Sequence, residues 1–217
     1  MIKRLRIHFN QVLETWKREG FFSVLHTAFF INKEIVPVEK HLNSLKSTNF
    51  PSGKKNFKFI EILKDKAGNA HLIYPLKSRY LKMAHNLDMG YRGFAIIKGD
   101  EVIGDIWYLS PNSSKEVIKQ PDLKLLNITL NEKEAYMFDM FVMPAERGCG
   151  LVNFLLGNAL IALKTKGFIK VYGFYMADNI PALWVHRTLG YKELKKFKVQ
   201  RILFLNFKSF KKLIVAI

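Results

Sequence analysis

The chain has a single cysteine, Cys149, among 217 residues. One thiol excludes an intrachain disulfide framework, and the expected setting is reducing and cytoplasmic. Metal-ligand spacing is also missing. The histidines His8, His26, His41, His71, His85 and His186 are scattered, so no metal is expected. No apolar run is long enough to cross a bilayer. The most lipid-like stretch, FFSVLHTAFFI (21–31), is short and broken by polar residues. MIKRLR opens as a signal peptide would, but the IHFNQVLETWKREG that follows has no apolar core segment, so no leader is expected. Acid is scarce as well, with 18 Asp and Glu against 35 Lys and Arg, a net charge of +17. Such a balance attracts nucleic acid, anionic lipid, a polyphosphate cofactor or an acidic protein. It equally suits a generically basic surface. There is no Arg/Gly repeat, zinc-finger spacing or RNA-recognition aromatic motif, so no specific nucleic-acid partner is expected.

What the chain does have is apolar mass, 49% of residues with 18 Phe and 8 Tyr. That is the composition of a globular domain. Ile2, Leu5, Phe9, Val12, Leu13 and Trp16 fall at helical spacing among Lys3, Arg4, Arg6, Lys17 and Arg18, which predicts an amphipathic helix over 1–19 ended by Gly20. A basic helix of this kind either lies on a membrane surface or packs its apolar face on its own domain. The second, commoner arrangement is the expectation here. The division expected is a basic helical extension over 1–42, a polar linker over 43–56 and one domain over 57–217.

From Phe57 the pattern turns to short strands. FKFIEILKD (57–65) alternates, and AGNAHLIYP (67–75) can hold another strand. SRYLKMAHNL (78–87) suggests a short helix. Two β-rich runs between Tyr91 and Ser110 flank Lys98-Gly99-Asp100, which predicts a hairpin. A polar loop covers 110–122. Then come a strand over 135–142, a glycine turn, a helix over 149–166, a strand over 168–176, a short helix closed by Gly190, and one or two strands over 191–207. The order gives a mixed α/β domain with a central sheet.

MPAERGCGLVNFLL (143–156) joins that strand to that helix through two glycines one residue apart. A helix N-terminus carries unpaired N–H groups and a positive partial charge. A strand, a glycine loop and a helix therefore make an anion cradle, and Arg147 adds a forked cation. The Walker pattern of Gly, four residues and Gly-Lys-Ser/Thr is absent. The dinucleotide fingerprint fails because Asn153 stands where a third glycine or alanine belongs.

Two motifs in this region resemble those of the GNAT superfamily of acyl-CoA N-acyltransferases. Val142, Pro144, Arg147 and Gly150 match the first. Asn179, Ala182, His186, Gly190 and Tyr191 match the second, at the right distance and in the right strand and helix context. The likeness spans roughly 57–207 and is sharp over 135–193. It implies a mostly antiparallel, twisted sheet flanked by helices, with a splayed strand pair that binds CoA. It also implies transfer of an acetyl or other acyl group from acyl-CoA to an amine in a direct ternary complex, with acetyl-CoA or another acyl-CoA as co-substrate.

By position, the resemblance puts the pyrophosphate on the N–H groups of Arg147, Gly148, Cys149, Gly150, Leu151 and Val152. It puts the pantetheine arm and the oxyanion against Phe141, Val142 and Met143, and a hydrogen bond to the cofactor arm on Asn179. Two positions depart from the pattern. Val152 replaces a small residue in the first helical turn, and His186 replaces the tyrosine that protonates the departing thiolate. His186 either does that work with a pKa nearer neutral or is a surface histidine that has lost it. Asp139 is the first candidate for the general base and Glu134 the second, and Tyr136 can position a water. Cys149, at the helix start, is a poor candidate for a nucleophile, since no His or Asp stands near it in sequence. The acceptor is a small-molecule or protein amine, selected by the N-terminal segment and the 110–122 loop. An acidic acyl-carrier protein as donor and a homodimer also suit the sequence. The competing reading is a catalytically degenerate member that docks to a membrane surface or a protein through its basic helix.

Overall fold

The computed structural model describes residues 2–19, 30–45, 56–64, 72–112, 121–202 and 205–209. In chain order the elements are α1 (Ile2–Glu19), β1 (Phe30–His41), β2 (Phe57–Ile62), α2 (Lys77–Asp88), β3 (Arg92–Lys98), β4 (Glu101–Leu109), α3 (Pro121–Leu126), β5 (Glu134–Val142), α4 (Leu151–Thr165), β6 (Lys170–Met176), α5 (Ile180–Thr188), β7 (Lys192–Glu193), β8 (Phe197–Ile202) and β9 (Leu205–Ser209). They build one sheet in the order β2-β3-β4-β5-β6-β1-β8-β9, with β7 also paired to β1. Every pairing is antiparallel except β5 with β6. This is the mixed α/β, mostly antiparallel sheet that the resemblance implied.

The sheet is covered on both faces. β4 lies in its interior and is buried at every position after Glu101. Ile103, Ile106 and Tyr108 enter one core with Leu155, Leu156, Ala159, Leu160 and Leu163 of α4. Val102, Trp107 and Leu109 enter the other with Met83 of α2, Leu123 and Leu126 of α3 and Tyr136 of β5. Alternation sorts the residues between the two cores, with its phase shifted by a bulge at Ile103, opposite the Ile96–Ile97 step. The hairpin β3–β4 turns at Gly99-Asp100, as its sequence predicts.

Three expectations change. Residues 30–41 are not helical. They form β1, deep in the sheet between β6 and the β7/β8 edge. Pro37 is tolerated there because β8 pairs β1 only as far as Ile35 and β7 only at Val38 and Glu39. The missing N–H therefore falls in a gap between two partners and costs no ladder bond. Secondly, the 110–122 stretch ends in the helix α3, with 113–120 outside the described residues. The third concerns α1, which does not pack its apolar face on the domain. Ile7 is buried, but Phe9, Val12 and Trp16 of the predicted apolar face are exposed, while the polar side meets α2. There Glu14 accepts from the Ser78 N–H at 2.9 Å and from the Ser78 hydroxyl, capping the start of α2 from a different helix. Most of 43–56, and of the 67–75 run apart from a bridge of Ile73 to Glu101, lies outside the described residues.

Candidate functional site

β5 starts beside β6 and then leaves it. Glu134, Ala135 and Tyr136 pair with Lys170, Val171 and Tyr172, and no later pair joins the two strands. Beyond this point β5 keeps β4 and β6 keeps β1. The two strands open into a V whose inner edges have no strand partner.

The divergence coincides with a bulge at Asp139. Phe138 lies opposite Trp107 and Phe141 opposite Asp105, so Asp139 and Met140 together face Ile106 alone. Asp139 takes φ +52°, a left-handed conformation that costs a non-glycine residue about 1–3 kcal/mol unless its surroundings hold it. Those surroundings are on α2. Arg79 Nη1 donates to Asp139 Oδ1 at 3.0 Å, and Nη2 donates to the Asp139 carbonyl at 3.2 Å and to Asp105 Oδ1 at 2.5 Å. Lys82, three residues along the same helix, donates to Asp139 Oδ1 at 2.8 Å. Trp107 Nε1 donates to Asp105 Oδ2 at 3.2 Å, and the guanidinium lies 4.9 Å from the Phe141 ring centre.

Burial raises the Asp105 carboxyl, and the bonds from Arg79 and Trp107 offset this only in part. Burial acts the same way on Asp139, but Arg79 and Lys82 outweigh it and hold that carboxyl below the usual range. Burial would lower Arg79, yet the two aspartates raise it, so it stays a cation. A cavity of 620 Å³ opens beside this cluster, walled by Gln11, Glu14, Thr15 and Lys17 of α1, Arg79 and Lys82 of α2, and Asp139, Met140 and Phe141 at the bulge.

After Val142 the chain makes a short 3-10 turn, Pro144–Glu146. Arg147 folds back so that its Nε donates to the Val142 carbonyl at 3.0 Å. Gly148 and Gly150 have φ of +87° and +77°, where a side chain would cost about 1–2 kcal/mol. Gly150 caps α4 with no side-chain hydrogen bond. Phe154 N–H to Gly150 O, at 3.0 Å, is the first bond of the helix, so the N–H groups of Leu151, Val152 and Asn153 face out of its end. A Cβ on either glycine would meet nothing within 4 Å, so the turn is open on that side. Val152 is half-buried and packs on the core, so it does not fill the mouth. Cys149 Sγ donates to the Glu146 carbonyl at 3.0 Å, within the turn. The donor set, open backbone N–H groups beside an arginine, fits an anionic pyrophosphate.

The other sequence candidates separate. The Met143 N–H is taken by the Ile103 carbonyl at 2.8 Å, and Phe141 faces Asp105 on β4. By alternation from Met143, the Val142 N–H lies on the inner edge of the V, and Met140 lies within the bulge next to it. Asn179 caps α5, its Oδ1 accepting from Ala182 N–H at 3.1 Å, which leaves its exposed amide nitrogen as a donor. Tyr136 is buried and its hydroxyl donates to Asp122 Oδ2 at 3.1 Å. Burial and that carboxylate raise its pKa well above the usual tyrosine value. Glu134 accepts from Asn131 N–H at 3.0 Å and from the Tyr172 hydroxyl at 3.3 Å, a set of bonds that fastens the start of β5.

His186 is not a surface residue. It lies between Tyr175 of β6 and Tyr191, at 5.1 and 4.8 Å between ring centres, and its Nδ1 sits 2.7 Å from the Ala182 carbonyl. That contact requires Nδ1 to donate, so in the neutral ring Nε2 offers a lone pair. Burial lowers its pKa below the ordinary value.

Arg79, Lys82, Asp105 and Met140 were not singled out in the sequence. One signal was available. Asp105 interrupts the apolar strand EVIGDIWYL, and a buried carboxylate needs a cation. Which cation supplies it cannot be read without the fold. Among the described residues, no cluster of His, Cys, Asp and Glu is arranged to hold a metal ion, and no helix is long and apolar enough to cross a membrane.

Known structures share this fold. One is the GCN5-related glucosamine N-acetyltransferase region of a fungal multi-domain GH3 β-N-acetylglucosaminidase, at a TM-score of 0.54 and 18% identity, covering 89% of this chain and 23% of that one. Another is a tandem GNAT protein from the clavulanic acid biosynthesis pathway, at 0.53 and 12%, covering 86% and 57%. The chain thus spans little more than half, or less, of the length of these structures. At such identities the likeness carries the fold alone. No curated protein matches the chain. The model of the acetyltransferase (GNAT) family matches residues 58–191, a span that runs from β2 through the bulge, the glycine turn and α5 to Tyr191. That match covers more than half of the sequence, and the chain belongs to the acetyltransferase (GNAT) family.

Proposed function

We propose that the chain is an N-acyltransferase that moves an acetyl or other acyl group from acyl-CoA to an amine by direct transfer. The observation that carries this reading is the parting of β5 from β6 after Tyr136 and Tyr172, next to a helix end capped only by Gly150. An extended thioester arm fits along the inner edge of β5, and its pyrophosphate fits the N–H groups of Leu151, Val152 and Asn153, with Arg147 beside them. When bound, acyl-CoA supplies the activated carbonyl.

The acceptor amine reaches that carbonyl from the cavity between α1, α2 and the bulge. The amine nitrogen forms a bond to the carbonyl carbon, the oxygen takes up the charge, and the carbon–sulfur bond then breaks. An inner-edge N–H of β5, from Met140 or Val142, is the donor for that oxygen. It is in place before the charge develops, which is the condition under which such a donor lowers a barrier most. The proton that nitrogen loses is the one sulfur gains, so the balance closes without an outside acid. His186, neutral and with Nδ1 engaged, is suited to accept a hydrogen bond rather than to give a proton. Asp139, held ionised by two cations, is a weak base, and its role in this reading is to fix the bulge. Arg79 is the positioning residue that keeps it there.

Thiol release from acetyl-CoA in the presence of an amine panel tests the reading. Release that rises with one class of amine is expected. A folded protein that binds neither acetyl-CoA nor longer acyl-CoA would overturn it.

A further inference from the structure

We propose that the outward face of α1 is a docking surface for an anionic lipid bilayer. The helix is mounted with its amphipathicity reversed. Its polar side is turned inward around the buried Ile7, where Glu14 caps α2 through Ser78 and Gln11 and Thr15 wall the cavity, with an exposed Lys3–Asp88 pair of 2.6 Å at the margin. Its apolar side is turned outward. Phe9, Val12 and Trp16 stand at i, i+3 and i+7 on one face and are 63%, 37% and 50% exposed. Two large aromatic side chains on an ordered helix thus leave much of their apolar surface in water, which a covering partner removes.

Charge selects the partner. Arg6 and Lys17 are exposed on the adjacent side of the helix, and the chain carries a net charge of +17. A second copy would bring the same cations against themselves. An anionic bilayer meets both features at once, since the aromatic stripe enters the boundary between headgroups and acyl chains while the cations remain among the phosphates and carboxylates. The inference does not rest on the acyl-transfer reading, because Phe9, Val12, Trp16 and Arg6 lie off the cavity wall, and Lys17 stands at its rim.

Sedimentation of the full chain with vesicles tests it. Phosphatidylcholine vesicles containing phosphatidylserine are compared with phosphatidylcholine alone, for the wild type, for Phe9→Gln with Val12→Gln, and for Arg6→Gln with Lys17→Gln. All four side chains are exposed, so unchanged melting is expected in both variants. The expected result is at least about tenfold stronger retention on the anionic vesicles, and a loss of about tenfold or more in each variant. The inference is overturned if the wild type ignores anionic vesicles. It is also overturned if the Phe9/Val12 variant binds as the wild type does, which would leave charge alone at work. A dimer in solution that this variant splits, with no vesicle binding, would overturn it by making the face a contact between copies.

Discussion

Arg79 Nη1 donates to Asp139 Oδ1 across 3.0 Å, tying α2 to the one residue of β5 whose backbone is left-handed. The bond links an arginine with no exposed role to the bend that opens the sheet. Arg79 also holds Asp105 beneath the bulge. Removing it leaves one carboxylate fully buried and another with Lys82 alone. Arg79→Met is therefore expected to lower the unfolding free energy by about 3–5 kcal/mol. Adding Asp105→Asn should restore part of that loss, since the stranded charge is gone. Urea denaturation of the single and double variants checks both statements. A single variant as stable as the wild type would contradict them.

Asp139→Asn separates an anchor from a base. The amide keeps an oxygen for Arg79 and Lys82, so turnover should fall by less than about tenfold, whereas loss of a general base costs about 10²–10⁴. Because Arg79 and Lys82 hold this carboxyl low, the acid limb of the rate profile should not move in the variant. Rates against pH with any accepted amine supply the measurement.

His186→Gln should leave turnover within a few-fold of the wild type and change how stability depends on pH. The folded-state pKa of His186 lies below its unfolded value, near 6.5. The unfolded chain then binds the proton first, and stability falls as pH drops through about 6.5 toward the folded value. Melting temperatures recorded from about pH 8 down to about pH 5 should show this slope in the wild type and less of it in the variant. A loss of activity of about a hundredfold or more would instead restore the proton-donor role.

Glu14→Ala removes a helix cap supplied from outside the helix. Ser78 loses both of its contacts with that carboxylate, and a cap is worth about 1 kcal/mol. The variant should show faster amide hydrogen exchange in α1 and the first turn of α2, with the β4 and β5 amides unchanged. Equal exchange in α1 would show that this carboxylate does not hold the helix in place.

Parts of the molecule stood plainly in the sequence. The hairpin turn at Gly99-Asp100 and the strand-glycine-helix unit at 134–165 each rest on local chemistry that neighbouring residues encode. What stayed hidden depends on distant partners. β1 carries Pro37 and six charged or polar positions, a pattern that argues against an interior strand. Only the gap between β7 and β8 makes it tolerable. The pattern of α1 showed which residues share a face but not which face turns inward, because Ser78 and Asp88, which fix that, lie far along the chain. The partnerships of Arg79 with Asp139, 60 residues on, and of Tyr136 with Asp122 are likewise products of the fold. They moved the weight of the candidate site from single side chains to the bulge they support.

The most direct test of the central claim is calorimetric titration of acetyl-CoA into the protein, with Gly150→Glu alongside. Gly150 is exposed and a side chain there touches nothing, so the variant should stay folded while placing bulk, strain and a negative charge at the start of α4. Saturable binding by the wild type, lost or weakened at least about tenfold in the variant, is the predicted result. Equal binding by both proteins would contradict the account, because it would place the phosphates somewhere other than the glycine-capped end of α4.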